Sequence, residues 1–196
     1  MRISWEQLRE NIERCENCEL GKGCIQKVPG QGDIHAPLML IGEAPGAQED
    51  RQGLAFVGPA GQLLTRMLAA IRLPRDRVYI CNVVKCRPPG NRTPTQEEMQ
   101  ACIGHLRAQT ALVRPKVILL LGATAVSAVL GPEYRITRCR GMWFERKGVW
   151  IMATYHPSAL LRDPGKKHDA WEDLKRVKAK LQELSVYSDL FEEEKA

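Results

Sequence analysis

The sequence predicts an α/β protein, a three-layer sandwich with a four-stranded, mainly parallel central sheet. Three observations predict it. Four apolar runs of strand length recur along 196 residues, at 38–42, 78–84, 117–121 and 149–153. Segments of helical hydrophobic period separate them, and alternating strands and helices specify a parallel sheet covered on both faces. Two of the runs end in abrupt turns that carry an ionisable residue, Glu43 in Gly42-Glu43-Ala44-Pro45-Gly46 and His156 before Pro157. In open α/β sheets ligands bind beyond the carboxyl ends of the strands, so these turns mark the expected site.

Taken in order, residues 4–14 read as a short amphipathic helix, with Ser4 as N-cap, Gln7 in the capping-box position and Leu8 and Ile12 on one face. It leads into Cys15-Glu16-Asn17-Cys18. Residues 20–37, with four glycines and two prolines, read as a loop. The first strand, its turn and a polar loop over 48–53 follow. A helix then opens at Phe56-Val57-Gly58-Pro59-Ala60-Gly61 and runs to Ile71, with Leu64, Leu68 and Ile71 at helical spacing. The second strand is β-branched and nearly unbroken, as a buried parallel strand should be. The prolines of 85–94 exclude helix and central strand there. Thr95 caps a helix over 96–113 with Glu98 in the capping-box position. The third strand leads through Gly122-Ala123-Thr124 into a short helix, and a charged helix over 166–184 closes the fold. No repeat or linker divides the chain, so residues 1–196 read as one domain, with 185–196 as a mobile acidic tail.

The apolar share of 44% and charged share of 27% are those of a soluble globular protein. No apolar run approaches the roughly 20 residues of a membrane span, and the first residues lack a signal-peptide core, so the expected compartment is the cytosol. In that compartment seven cysteines argue for metal ligation over disulfides. Cys15 and Cys18 form a C-x-x-C pair, Cys86 sits in the Pro/Gly loop, and Cys102 lies in the next helix. Four thiolates suit tetrahedral zinc or an iron–sulfur cluster, and spacing does not separate the two. Cys24, Cys81 and Cys139 lack such partners, and Cys81 reads as core. The formal charge of +6 is clustered: residues 72–92 hold six basic side chains against one acid. Further clusters hold Arg135, Arg138, Arg140, Arg146 and Lys147, and then Arg162, Lys166 and Lys167. Such clusters suit a polyanion.

Glu43, Asn82 and His156 all fall at the carboxyl ends of strands that would lie parallel, so they can converge on one pocket. Asn offers a donor and an acceptor, as reading the amide edge of a nucleobase requires. His can stabilise a carbonyl oxygen that gains negative charge. Phe56, between glycines in a loop, can stack on an extruded base.

Gly42-Glu43-Ala44-Pro45-Gly46, Glu49-Asp50, Phe56-Val57-Gly58 with Gly61, Asn82, and His156-Pro157-Ser158-Ala159-Leu160-Leu161-Arg162 together resemble the family 4 uracil-DNA glycosylases. The resemblance spans residues 15–162. It implies a uracil-DNA glycosylase-like fold and hydrolysis of the N-glycosidic bond of deoxyuridine in single- and double-stranded DNA, leaving an abasic site. It also implies a 4Fe–4S cluster on Cys15, Cys18, Cys86 and Cys102. Phe56 would stack on uracil, Asn82 read its N3 and O4 edge, and His156 stabilise the leaving anion at O2. Glu43 would act on the water side of the sugar, with Glu49 the second choice. Gly42, Glu49 and Ser158 join the substrate-binding set, and Arg87, Arg92 and Arg162 the DNA contacts. Other uracil glycosylases carry an aspartate one position after Glu43, where this chain has Ala44. Some relatives capture uracil covalently through a histidine near the third cysteine, and 86–92 contains none. The alternatives are a non-catalytic uracil- or DNA-binding module and a zinc-bound nucleotide-binding protein. Tyr187-Ser188-Asp189-Leu190-Phe191 is faintly similar to peptides that dock on the bacterial sliding clamp. A monomer is expected.

Overall fold

The computed structural model describes residues 3–191. Six strands form one sheet: β1 (Gln31–Gly32), β2 (Leu38–Gly42), β3 (Tyr79–Asn82), β4 (Val117–Leu121), β5 (Trp143–Arg146) and β6 (Val149–Thr154). Their order is β1-β3-β2-β4-β6-β5. The four expected strands are β3, β2, β4 and β6, all mutually parallel. The two additional strands are antiparallel edges. β1 is only two residues long and contains glycine, so it leaves no periodic trace. β5 pairs back on β6 through Lys147 and Gly148, whose φ values of 53° and 77° are those of a two-residue hairpin turn.

The helices are α1 (Trp5–Glu13), α2 (Leu20–Gly23), α3 (Ala47–Gln52), α4 (Pro59–Ala70), α5 (Gln96–Val113), α6 (Ala123–Val129), α7 (Ile136–Cys139), α8 (Pro157–Arg162), α9 (Lys167–Glu183) and α10 (Ser188–Phe191). Both expected capping boxes form, Ser4 with Gln7 and Thr95 with Glu98. Strand alternation sends side chains to two cores. Met39 and Ile41 pack with Met99, Leu106 and Val126 beneath α5 and α6. Leu38 and Leu40 pack with Leu64, Leu68, Leu174 and Val177 beneath α4 and α9. Two buried faces make the three layers.

The polar stretch expected as a loop over 48–53 is largely α3. Glu49 at its third position reaches back to the Gly46 N–H, and Gly53 ends it in a left-handed conformation. α4 begins at Pro59 because Phe56 has φ 53° and cannot join it. The C-terminal segment also differs from expectation. Tyr187 and Phe191 are buried in the second core, and the Tyr187 hydroxyl accepts from the Leu38 N–H and donates to the Arg77 carbonyl. Two aromatic anchors hold 187–191 on the body, where a mobile tail was expected. Glu192, Glu193 and Glu194 lie outside the described residues.

From β2 the strand order runs outward to β3 on one side and β4 on the other. That arrangement opens a crevice at the carboxyl edge of the sheet.

Candidate active site

The crevice is a cavity of about 650 Å³, lined among others by Glu43, Glu49, Phe56, Asn82, His156 and Ser158. Residues from β2, β3 and the turns after β4 and β6 thus meet at one place, as parallel strands require. Gly42 is what lets them meet. A Cβ there would lie 2.5 Å from both Asn82 Oδ1 and Phe56 Cζ. Gly122 does the same under the opposite wall, where a Cβ would stand 2.9 Å from His156 Cβ.

Asn82 is 1% exposed, and its Oδ1 has no hydrogen-bond partner among the described residues. A buried acceptor left open costs free energy of about 1–3 kcal/mol, so its presence in a cavity wall points to a ligand N–H. The Phe56 ring forms part of the second core and also lines the cavity, 5.6 Å from the His156 ring centroid. Its left-handed backbone is held by Glu49. Glu49 Oε1 accepts from the Val57 and Gly58 N–H groups at 2.8 and 2.7 Å, and Oε2 from Gly46 at 3.1 Å. Glu49 is therefore occupied as a loop clamp, with both carboxylate oxygens engaged by backbone N–H groups. Glu43 Oε2 accepts a short hydrogen bond from Thr124 Oγ1. Thr124 was read only as part of a helix start, since nothing in its spacing ties it to a residue 81 positions earlier.

His156 is the N-cap of α8. Its Nδ1 accepts from the Ser158 N–H at 3.1 Å and lies 2.8 Å from Ser158 Oγ. A backbone donor at Nδ1 fixes the tautomer, so Nε2 carries the proton. Burial, with Arg162 nearby and only partly offset by Glu49, pushes the ring down to about 4. The imidazole is neutral, and it is a donor.

The basic residues divide. Arg162 lines the cavity, is exposed and forms no ion pair among the described residues. Arg92 also lines the cavity, but its guanidinium is bidentate to Glu98 at 2.8 and 2.6 Å. Arg87 lies outside the cavity lining and donates to Asn91 Oδ1. Other members of the expected polyanion surface are engaged internally. Lys85 is 2% exposed, Arg75 donates to the Ala55 carbonyl, and Arg140 pairs with Asp169 and Asp173. Charge counting cannot distinguish a buried cation from a surface one.

Cys15, Cys18, Cys86 and Cys102 line a second, smaller cavity with Ile12, Leu20, Lys85 and His105. All seven cysteines are free. Among the described residues no three His, Cys, Asp or Glu side chains gather closely enough to ligate one ion. A tetrahedral zinc needs that convergence, whereas a polynuclear cluster takes one thiolate per iron around its periphery. Burial pushes the Cys86 and Cys102 thiols up, so only a strongly cationic centre would keep them deprotonated. Cys24 adds to the upward push on Cys86, a neighbour its spacing gave no hint of, while its own thiol donates to the Gly21 carbonyl at 3.8 Å. Cys81 and Cys139 are core residues.

The model of the uracil DNA glycosylase superfamily matches residues 29–175, which contain the whole sheet and every residue of the larger cavity. The chain belongs to that superfamily. Three similar proteins carry the name type-4 uracil-DNA glycosylase. That of Sulfurisphaera tokodaii is 40% identical over 89% of this chain and 84% of its own length. That of Thermotoga maritima is 42% identical over 89% and 93%, and that of Archaeoglobus fulgidus 40% over 89% and 92%. Within the superfamily, the chain is a member of this type-4 group.

Proposed function

We propose that this protein is a monofunctional DNA repair glycosylase that hydrolyses the N-glycosidic bond of deoxyuridine in DNA, releasing uracil and leaving an abasic site. The observation that carries the reading is the open, buried Oδ1 of Asn82 between Phe56 and His156. Uracil presents an N–H flanked by two carbonyls. Asn82 accepts from N3–H and donates its amide to O4, while the Phe56 ring stacks on the base.

Extruding the base costs a few kcal/mol, which stacking and edge hydrogen bonds offset. As the bond to the sugar breaks, negative charge gathers on uracil O2. The neutral His156 donates from Nε2 to that oxygen, a preorganised dipole aimed at developing charge. Glu43, oriented by Thr124, receives and aligns the water on the sugar side, and its negative charge favours the oxocarbenium-like sugar. Gly42 and Ser158 shape and support these groups. Glu49 holds the stacking loop. Arg162 contacts phosphate at the mouth, whereas Arg92 is held by Glu98 and Arg87 donates to Asn91 outside the cavity lining.

Cys15, Cys18, Cys86 and Cys102 are the residues that would hold a 4Fe–4S cluster. When bound, it supplies a cross-link between the N-terminal segment and the loop after β3. The proposed partner is uracil-containing DNA in either strandedness, and the protein acts as a monomer. The cytosol is the proposed compartment, since all seven thiols are free; among the described residues no helix is long and apolar enough to cross a membrane. Docking on a sliding clamp through 187–191 would require Tyr187 and Phe191 to leave the core, which counts against that role.

The test is a labelled oligonucleotide with one central deoxyuridine, treated with protein and then with alkali. Free uracil and alkali-dependent cleavage are expected. A shifted band that survives denaturation would mean covalent capture instead, and intact DNA would refute the activity.

A further inference from the structure

Lys85 is the largest fully buried side chain among the described residues, 2% exposed, and it lines the cysteine cavity but not the larger one. Its Nζ donates to the Asn82 carbonyl oxygen at 2.5 Å, and it lines the cysteine cavity beside Cys86 and Cys102. No carboxylate pairs with it among the described residues. A buried ammonium without counter-charge is expensive, and removing one partner from such a pair typically destabilises strongly. Among the groups lining that cavity, only the cysteine thiols can become anionic. His105, which lines the same cavity, has a buried Nε2 without a partner among the described residues.

We propose that Lys85 is the counter-cation of the thiolate-held centre and, through its hydrogen bond to the Asn82 backbone, the residue that positions the base-reading amide. This rests on the iron–sulfur reading above. A tetrathiolate cluster carries net negative charge, so a fixed cation beside it favours the reduced, more negative state. The same side chain holds the last residue of β3 in register with Gly42. Lys85 is thus a positioning residue: it touches neither uracil nor the sugar.

Two substitutions separate its roles. Lys85→Met removes charge and donor; Lys85→Gln removes the charge and keeps a donor for the Asn82 carbonyl. The readouts are iron content, the reduction potential by voltammetry, the rate at which visible absorbance is lost to an iron chelator, and kcat and KM for uracil release. Both variants are expected to lower the potential and to lose absorbance several-fold faster. Lys85→Met alone is expected to raise KM as well, with a smaller change in kcat. A Lys85→Gln protein with wild-type potential and wild-type chelation rate would overturn the proposal. Should Lys85→Met fail to fold, the Lys85→Gln potential decides. Wild-type protein without iron or visible absorbance would refute the cluster itself, whereas iron-loaded wild type with an unchanged Lys85→Gln potential refutes only the role of Lys85.

Discussion

Glu49→Gln separates the two carboxylates of the site. Glu49 Oε1 takes the Val57 and Gly58 N–H groups and Oε2 takes Gly46. In the glutamine variant the amide oxygen can keep the first two. The NH2 then faces the Gly46 N–H, donor against donor. A hydrogen bond from a backbone N–H to a charged acceptor contributes about 1.5–3 kcal/mol, and the other two fall from charged to neutral strength. Phe56, at φ 53°, needs that support, because an isolated left-handed residue costs on the order of 1–3 kcal/mol. A net loss of ~2 kcal/mol lowers the melting temperature of a chain this size by roughly 4–8 °C. Thermal unfolding followed by calorimetry reads it. In the uracil-release assay KM should rise, since the stacking ring is less well held, while kcat falls by less. Glu43→Gln should behave in the opposite way, with near-native melting and a large loss of kcat. Were Glu49→Gln to melt like wild type and lose kcat as severely as Glu43→Gln, Glu49 would be the water-aligning group and the clamp argument would be wrong.

Four more expectations follow from the site. The folded protein holds His156 neutral down to about 4 from an ordinary value of 6.5, so between those values the unfolded chain binds more protons. The stability His156 contributes is complete above the upper value and is lost as pH falls through that window; kcat against pH should show no histidine inflection near neutrality, and one there would refute the neutral donor. Arg162→Ala should flatten the salt dependence of duplex binding by about 0.9 in log–log slope, one phosphate contact. Arg92→Ala should leave that slope nearly unchanged and instead destabilise the start of α5 by freeing Glu98, so equal slope changes would reassign Arg92 to DNA. Gly42→Ala places a methyl against Asn82 and Phe56, and should cut kcat/KM at least about tenfold, ~1.4 kcal/mol in the barrier, with modest loss of stability; undiminished turnover would remove Asn82 from the base-reading role.

Much of the fold was legible because parallel strands buried on both faces leave unbroken apolar runs. β2 and β4 were placed to the residue for that reason. β1 and β5 were not, since a two-residue edge and a half-exposed hairpin arm carry no such run. The convergence of Glu43, Asn82 and His156 was legible from topology, because parallel strands bring their ends to one edge; Phe56 arrives from a loop and was legible only as a ring set between glycines. What each group does there was not. Glu49 accepts from three backbone N–H groups and Glu43 from a distant side-chain hydroxyl, a difference neither carboxylate's position in the sequence reveals. Thr124 reaches Glu43 across 81 residues. Lys85 reads as one more cation in a basic stretch until its burial is known. The C-terminal aromatics left two readings open, an anchor offered to a partner or a helix end packed on the body, and composition alone cannot separate them; Tyr187 and Phe191 pack on the body.

On the proposed division of labour the site can lack the aspartate that a resemblance to other uracil glycosylases would place after Glu43. With uracil departing as an anion, most of the barrier would be lowered at the base, by His156 at O2 and Asn82 at the far edge. The water would then attack a sugar already cationic, and would need alignment more than deprotonation by a strong base. A single carboxylate bonded to Thr124 would supply alignment and favourable charge together. On that argument Ala44→Asp should not accelerate uracil release at neutral pH, because a further carboxylate beside Glu43 adds no donor at the departing base. The single-turnover rate measures it, and a clear gain over wild type would show that water activation, not alignment, limits turnover.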